Sequence, residues 1–212
     1  MIYLLSPKIQ KETLSLPMIQ FSLITQILDL SHYDLLMFTS KQAVLSTNNL
    51  NKEWKKIPCL AIGKATAKQI TTLGGRVLFQ PNDFYGKNLA KEIAQHFKNK
   101  KILYLRPKEV SFDSKSFLAS QNIILDEKII YETSCINYQK EDAPQKNAII
   151  IFTSPSTIQC FFKNFEWDES YKAVVIGEAT KVHLPDEVKE VFVAKKPLID
   201  ECVEIAKRLL KK

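Results

Sequence analysis

Four short polar turns carry the residues best suited to bind an anion. Two contain a Thr-Ser pair after an apolar run, and two share the pattern Ile-Gly-x-Ala-Thr. Each precedes a predicted helix, whose first backbone N–H groups have no partner inside the helix and therefore attract negative charge. We expect the ligand at the following residues of these turns: Thr39, Ser40, Lys41, Gly63, Lys64, Thr66, Ser154, Pro155, Ser156, Thr157, Gly177, Glu178 and Thr180.

Helix capping is the alternative role for the same hydroxyl groups. Ser40 and Ser154 each stand just before a predicted helix, where a serine side chain accepts a hydrogen bond from the first N–H groups. Pro155 would occupy the first helical position, where its missing N–H costs nothing. The two roles are compatible, and the sequence leaves both open.

The turns belong to two copies of one pattern. Phe38 and Phe152 are 114 positions apart, and Gly63 and Gly177 have the same separation. Apolar runs that are typical of buried parallel strands alternate with helical patterns throughout. The sequence therefore predicts an α/β fold with two similar parallel-sheet α/β domains.

The opening segment Met1–Pro7 has the same shape as Lys101–Pro107, an apolar strand stopped by proline. The second copy has no such strand after Leu210, so we expect the N-terminal strand to pair into the C-terminal domain. The second domain is then inserted in the first, and the two are joined by a two-stranded β ladder. The predicted bounds are 1–22 with 134–212 for domain 1, 25–131 for domain 2, and 23–27 and 130–136 for the crossing strands.

Composition is that of an ordinary soluble globular protein, with 212 residues, 45% hydrophobic and 25% charged. No run approaches the roughly 18 apolar residues of a membrane span, and Met1–Leu5 predicts a strand instead of a signal peptide. We expect a cytoplasmic monomer that does not bind membranes. The four cysteines and three histidines are scattered, which predicts buried, reduced thiols and no metal site.

The net charge of +7 and the pI near 9.1 favour an anionic partner. Nucleic acid is one class of partner, and a polycarboxylate or a phosphorylated small molecule is another. The lysines are dispersed and no nucleic-acid-binding signature is present in the sequence, so we predict no nucleic-acid partner. A charge of this size can also serve solubility alone.

At its paired motifs the chain resembles the uroporphyrinogen-III synthase family. The resemblance covers nearly the whole length and includes the paired turns, the Tyr-Leu-Arg-Pro strand end at 104–107, and Ile130-Tyr131-Glu132-Thr133, which matches the family's V-Y-x-T crossing. It implies two α/β domains with the active site in the cleft between them. It also implies a substrate, hydroxymethylbilane, which is a linear tetrapyrrole with eight carboxylates. The family closes this molecule with inversion of its last ring, ring D, and loss of water, without a metal or organic cofactor.

The resemblance assigns roles to particular residues. Tyr131 corresponds to the crossing tyrosine, which would help the substrate hydroxyl to leave, although packing at the crossing is the alternative role. Lys41, Lys64 and Arg106 would pair with substrate carboxylates, and Tyr85, in the loop 81–86, is assigned to substrate binding. Glu178 would repel a carboxylate, so we expect it to contribute its backbone N–H alone.

Two other classes of protein share these features. One is a phosphosugar- or nucleotide-binding α/β enzyme, although the sequence lacks G-x-G-x-x-G and G-x-x-x-x-G-K-[ST]. The other is a two-domain α/β anion-binding protein without catalysis. Such a protein would need every binding turn but not Tyr131.

Overall fold

The computed structural model describes residues 1–81 and 86–210. Contacts divide the chain into two compact units: unit 1 is Met1–Gln20 with Ser134–Lys212, and unit 2 is Phe21–Thr133. The discontinuous pattern of a unit inserted into another is thus present. That these units fold as independent domains with the bounds given above stays a prediction.

Strands and helices alternate along the chain. In chain order the elements are β1 (Ile2–Leu4), β2 (Leu14–Ser15), β3 (Ile19–Leu23), β4 (Leu35–Phe38), α1 (Lys41–Leu50), β5 (Cys59–Ala61), α2 (Lys64–Thr72), β6 (Val77–Phe79), α3 (Gly86–His96), β7 (Ile102–Pro107), α4 (Ser114–Ala119), β8 (Leu125–Cys135), β9 (Ile149–Phe152), α5 (Pro155–Asn164), β10 (Lys172–Val175), α6 (Glu178–Lys181), β11 (Val191–Val193) and α7 (Ile199–Leu210). Short 3₁₀ turns lie at Lys52–Lys56 and Lys140–Asp142.

Two sheets organise these elements. One has the order β11-β10-β9-β1-β2, and the other has the order β3-β8-β7-β4-β5-β6. In the second sheet β4 pairs in parallel with β5 and β7, β5 pairs in parallel with β6, and β7 pairs in parallel with β8. The strand pairs of the first sheet are also parallel. The central strands β4 and β9 are buried along their whole length, as expected for apolar strands covered on both faces. The predicted α/β class with parallel sheets is confirmed.

Local signals set several helix ends as predicted. Ser40 and Ser154 are the N-caps of α1 and α5, and Pro155 is the first residue of α5. Helix α2 ends before Gly74, whose φ of 88° lies in the left-handed region that favours glycine. Helix α7 has acidic residues in its first turn and basic residues in its last, which suits the helix dipole.

The N-terminal strand lies in the sheet of unit 1, as the comparison of the two halves predicts. Strand β1 pairs in parallel with β9, with Ile2 opposite Ile149 and Leu4 opposite Ile151. It has the place in unit 1 that β7 has in unit 2. Strand β1 is therefore part of the unit 1 sheet, and a C-terminal domain completed by this strand stays a prediction.

The internal repeat extends to the backbone hydrogen bonds. The N–H of Ile62 donates to Phe38 at 3.0 Å, and the N–H of Ile176 donates to Phe152 at 3.1 Å. Both members of the second bond lie 114 positions after those of the first. The two halves therefore place their polar turns against the preceding strand in the same way.

Strands β3 and β8 carry the chain from unit 1 to unit 2 and back. They are neighbours in the sheet, and the N–H of Ile24 still donates to Ile130 at 3.1 Å beyond the end of β3. The predicted first crossing strand, 23–27, is wrong in its bounds, because β3 covers Ile19–Leu23. Most of β3 is exposed, so no buried face marks its ends in the sequence. The predicted second crossing strand, 130–136, overlaps the last part of β8, which covers Leu125–Cys135.

The prediction of four reduced thiols is also wrong. Cys135 and Cys160 form a disulfide with a Cα–Cα distance of 5.2 Å, whereas Cys59 and Cys202 are free and buried. Cys135 is the last residue of β8 and Cys160 lies in the middle of α5. The fold of unit 1 brings them together, and their spacing in the sequence gives no sign of it.

Two further properties concern the described residues as a whole. None of the helices in residues 1–81 and 86–210 is long and apolar enough to cross a membrane. Among the same residues, no three His, Cys, Asp or Glu side chains are grouped so that they could hold a metal ion.

Candidate active site

Both sheets place predicted turns at a point where the strand order reverses. In unit 2 the chain runs from β4 to β5 and β6 on one side, and then returns to place β7 on the other side of β4. In unit 1 strand β9 has the same position, with β10 and β11 on one side and β1 on the other. Open α/β sheets bind ligands at such switch points, outside the carboxyl ends of the strands. The turns after β4 and β9 therefore lie where a ligand is expected.

The turn after β4 is hydrogen bonded to two tyrosines. Thr39 Oγ1 lies 2.7 Å from Tyr104 Oη, and Ser40 Oγ lies 3.0 Å from Tyr131 Oη. Ser40 Oγ also accepts a hydrogen bond from the backbone N–H of Ala43 at 2.9 Å, which confirms its capping role. In each tyrosine pair either oxygen can be the donor. A pocket of about 160 Å³ opens here, and Thr39, Ser40 and Tyr104 are part of its lining.

Tyr131 is held inside unit 2 by its ring and by its hydroxyl group. The residue is 4% exposed, and its ring meets Phe21 edge-on with centroids 5.8 Å apart. Burial raises the pKa of Tyr131, and the hydrogen bond with Ser40 offsets part of this increase. The phenol therefore keeps its proton at neutral pH. The structure brings the tyrosine singled out for catalysis to one of the turns singled out for binding.

Arg106 is engaged by the protein itself. Its Nη1 donates to the carbonyl oxygens of Pro107 and Lys108, both at 3.0 Å. Its Nε lies 3.2 Å from Glu127 Oε2, so the two side chains form an ion pair. The Nε atom is buried, and within the described part of the chain its N–H has no hydrogen-bond acceptor in good alignment. These contacts orient the end of β7, and they compete with the predicted pairing of Arg106 to a substrate carboxylate.

The turn after β5 offers mainly its backbone. Gly63 is the N-cap of α2 and has no side chain with which to cap the helix, while Lys64 is exposed at its first position. Thr66 is 4% exposed, so its hydroxyl group points into the fold. Lys41 is exposed at the first position of α1. Tyr85 lies outside the described residues.

The turn after β9 forms a complete cap. Thr157 Oγ1 accepts from the N–H groups of Thr153 and Ser154, both at 3.2 Å, and donates to the Ser154 carbonyl oxygen at 2.7 Å. Ser154 Oγ accepts from the N–H of Thr157 at 3.3 Å. Thr157 is fully buried, so its hydroxyl shapes the turn. Ser154, Pro155 and Ser156 are partly exposed and remain within reach of a ligand.

The turn after β10 borders a pocket of about 510 Å³, whose lining includes Gly177, Glu178 and Lys195. The Glu178 side chain is 70% exposed and lies 3.7 Å from Lys181, so it is turned toward solvent and a neighbouring cation. Thr180 is 4% exposed and, like Thr66, faces the fold. Glycine at the head of this turn leaves its backbone open to a ligand.

Known proteins resemble this chain along most of its length. A family model described as uroporphyrinogen-III synthase HemD matches residues 8–204. The chain belongs to the uroporphyrinogen-III synthase family. The resemblance noted in the paired motifs is thereby confirmed.

Individual relatives extend this result. A crystal structure of uroporphyrinogen-III synthetase from Helicobacter pylori is 28% identical to this chain, with 98% of each chain covered and a TM-score of 0.81. A mutant uroporphyrinogen III synthase from Thermus thermophilus is 13% identical, with 99% of this chain and 98% of that chain covered and a TM-score of 0.58, which shows the fold alone. The porphyrin biosynthesis protein HemD of Ruminiclostridium josui is 29% identical over 192 residues, which are 83% of this chain. The chain spans 38% of the length of that curated relative.

One residue of the unit 2 site was missed by the reasoning from sequence. Tyr104 lines the pocket beside Thr39, and the only sign of it in the sequence was its place in the Tyr-Leu-Arg-Pro strand end.

A larger pocket, of about 530 Å³, lies around Phe162 and Trp167 near the C-terminal end of α5. That end of the helix is opposite to the Ser154 turn, so the volume of this pocket does not connect it with the predicted site.

Proposed function

We propose that the protein is a uroporphyrinogen-III synthase, which cyclises hydroxymethylbilane with inversion of ring D and loss of water. Membership of the family supports this proposal. The observation that carries it is the 3.0 Å contact between the hydroxyl groups of Tyr131 and Ser40, in which the residue proposed for catalysis meets a turn proposed for anion binding.

The substrate carries many carboxylates, and the turns offer a matching set of donors. The first N–H groups of α1 and α2 follow Ser40 and Gly63 on adjacent parallel strands, so both helices begin at one edge of the sheet. Helix N-termini and backbone N–H groups favour negative charge. The net charge of +7 adds long-range attraction. Binding through these backbone groups, with side-chain hydroxyl groups as further donors, holds a flexible substrate in position.

Tyr131 is the proposed donor to the leaving hydroxyl group. As the C–O bond of the hydroxymethyl group breaks, its electron pair leaves with the oxygen, which takes a proton from solvent and becomes water. The substrate returns this proton when the pyrrole carbon that forms the new bond loses its hydrogen. Because burial raises the pKa of Tyr131, the phenol is a weak acid and a good neutral hydrogen-bond donor. Stabilising the leaving oxygen by hydrogen bonding is therefore its proposed role.

The product isomer tests the function directly. The purified protein would be incubated with hydroxymethylbilane that is generated enzymatically in the same vessel, and the uroporphyrinogen isomers would be separated. We expect the isomer III. Formation of the isomer I alone, which arises by spontaneous closure, would refute the proposal and favour a two-domain anion- or phosphosugar-binding protein.

Tyr131→Phe tests the assignment of the donor. We expect kcat to fall about a hundredfold, as for the loss of a strong hydrogen bond to a charged oxygen, with a much smaller change in substrate affinity. The matched control is Tyr33→Phe, which removes a partly buried tyrosine hydroxyl at the other end of β4. Unchanged turnover in Tyr131→Phe would assign this residue to packing.

Thr66→Ala tests whether backbone groups dominate binding. Thr66 is buried behind the turn, so its removal should lower activity only modestly. A complete loss of activity with the fold intact would contradict binding by the backbone N–H groups.

A monomeric state and a cytoplasmic location belong to the same proposal and stay predictions.

A further inference from the structure

Tyr104 places a second phenol at the switch point of unit 2, and the proposed reaction gives it no task. It lies on β7, where its backbone is opposite Met37 of β4 and Glu127 of β8. Its side chain is 2% exposed, and its hydroxyl group meets Thr39 Oγ1 at 2.7 Å. A buried phenol in this position needs an explanation beyond filling space, because phenylalanine would pack equally well without a polar group to satisfy.

The hydrogen bonds of this pair leave one donor unused. Tyr104 and Thr39 have one hydroxyl hydrogen each, and the bond between them uses one of the two. Within residues 1–81 and 86–210, neither hydroxyl group has another hydrogen-bond partner. The second hydrogen is therefore available to a group that the described protein does not supply. An acceptor such as a carboxylate would satisfy it.

The Tyr104–Thr39 pair lies on the opposite face of the sheet from the Tyr131–Ser40 pair. Tyr104 packs in the core cluster that contains Leu89 and Ile93 of α3, whereas Tyr131 packs in the cluster that contains Val44 of α1. Because Thr39 and Ser40 are consecutive, each directs its hydroxyl to one of these tyrosines. The end of β4 is therefore flanked by a hydroxyl pair on each face of the sheet.

The size of the adjoining pocket and its hydroxyl groups fit one arm of a polycarboxylate. Its volume of about 160 Å³ is well below the ~300–1,000 Å³ of pockets that enclose a whole drug-sized ligand. Burial raises the pKa of Tyr104 to about 12, even though the bond with Thr39 acts in the other direction, so the phenol stays neutral and can donate. The nearby Arg106 is engaged with Glu127 and two backbone carbonyls. Among the described lining residues, the side-chain donors are thus hydroxyl groups.

We propose that Tyr104 and Thr39 together bind a carboxylate-bearing arm of the substrate at the β4–β7 switch point of unit 2. This inference rests on the proposed function for the identity of the substrate. The pair supplies ground-state binding, whereas Tyr131 acts on the leaving group. The two tyrosines therefore differ in which kinetic constant they control.

Tyr104→Phe separates these roles by steady-state kinetics with hydroxymethylbilane. A hydrogen bond to a charged group is strong enough that KM should rise about tenfold, while kcat stays within about twofold of the wild type. Thr39→Val should have a similar effect. The double variant should be no more than about twofold worse than Tyr104→Phe, because the pair acts as one unit. Tyr33→Phe is the control for loss of a tyrosine hydroxyl elsewhere in unit 2.

Glu109 provides a variant with the opposite effect. Its exposed side chain also lines the pocket, where it would repel a bound carboxylate. Glu109→Gln should therefore lower KM, which loss of stability could not do. Thermal unfolding of each variant would show whether the fold is kept.

Two results would overturn the inference: a KM within about twofold of the wild type in Tyr104→Phe, or a fall in kcat with unchanged KM. Calorimetric titration with uroporphyrin III, a stable octacarboxylate, separates this failure from failure of the proposed function. If the wild type forms no isomer III but binds uroporphyrin III more tightly than Tyr104→Phe does, the binding role stands without the synthase activity. Equal binding by both proteins refutes the binding role.

Discussion

Removing the Cys135–Cys160 disulfide should destabilise unit 1 selectively. The bond joins the end of β8 to the middle of α5, and both cysteines belong to unit 1. The double variant Cys135→Ala/Cys160→Ala removes it without leaving an unpaired thiol. Cys202→Ala is the matched control, because Cys202 is a buried free thiol in the same unit.

The separation of the two cysteines sets the size of the effect. They are 25 residues apart, and closing a loop of this length in the unfolded chain contributes about 3.5 kcal/mol at 25 °C in the chain-entropy description. With an m-value of about 2 kcal/mol per molar urea, the unfolding midpoint of unit 1 should fall by about 1.5–2 M.

The two tryptophans allow each unit to be followed by itself. Trp167 lies in unit 1, where it packs against Phe161 and Tyr171, and Trp54 is fully buried in unit 2. Fluorescence during urea unfolding would be recorded in a Trp54→Phe background to report on unit 1, and in a Trp167→Phe background to report on unit 2. The loss of the disulfide should move the Trp167 signal and leave the Trp54 signal nearly unchanged.

A thiol count provides an independent check. In denaturant without reductant, the wild type should expose two free thiols, those of Cys59 and Cys202. Four reactive thiols would show that the bond is absent. A shift of less than about 0.5 kcal/mol on reduction, despite an intact bond, would refute the loop-entropy reasoning.

Three further predictions concern stability and the turns. Burial raises the pKa of Cys59 to about 12, so between about pH 9 and pH 12 the folded state keeps this proton whereas the unfolded chain loses it. The free energy of unfolding should therefore fall above about pH 9, by up to about 1.4 kcal/mol per pH unit. Urea unfolding of Cys59→Ala should show a weaker decline over the same range. Gly75→Ala should cost about 1–3 kcal/mol in the same assay, because a Cβ there would collide with the ring of Trp54. Gly177→Ala should change the free energy of unfolding by less than about 0.5 kcal/mol, because a Cβ would meet no atom within 4 Å in the described part of the chain. The same variant should raise KM if the substrate touches the backbone of Gly177.

Local patterns were sufficient to predict the strand-turn-helix units and their repetition. An apolar run followed by Thr-Ser or by Ile-Gly carries its own information, because strand burial and helix capping depend on neighbouring residues. The placement of β1 in unit 1 also followed from the sequence, because Met1–Pro7 has the same shape as the strand that the first copy has after α3. Each of these inferences needs only the order of residues.

Contacts across the sheet could not be predicted in this way. Tyr104 and Thr39 are 65 residues apart, and their meeting depends on the register of β7 against β4. Arg106 was expected to bind substrate, but strand β8 brings Glu127 alongside it. The pairing of Cys135 with Cys160 likewise depends on how β8 and α5 pack. A shift of one residue in register would direct each side chain to the opposite face, so no pattern within a single segment determines these contacts.

The position of β1 has a consequence for how the chain is made. This strand is synthesised before the rest of the sequence, yet its partner β9 begins only at Ile149. At about 5–20 residues per second, some 7–30 s pass on the ribosome before β9 exists. All of unit 2 is synthesised within that interval. The inserted unit can therefore close first, while the first strand waits with one edge unpaired and open to mispairing.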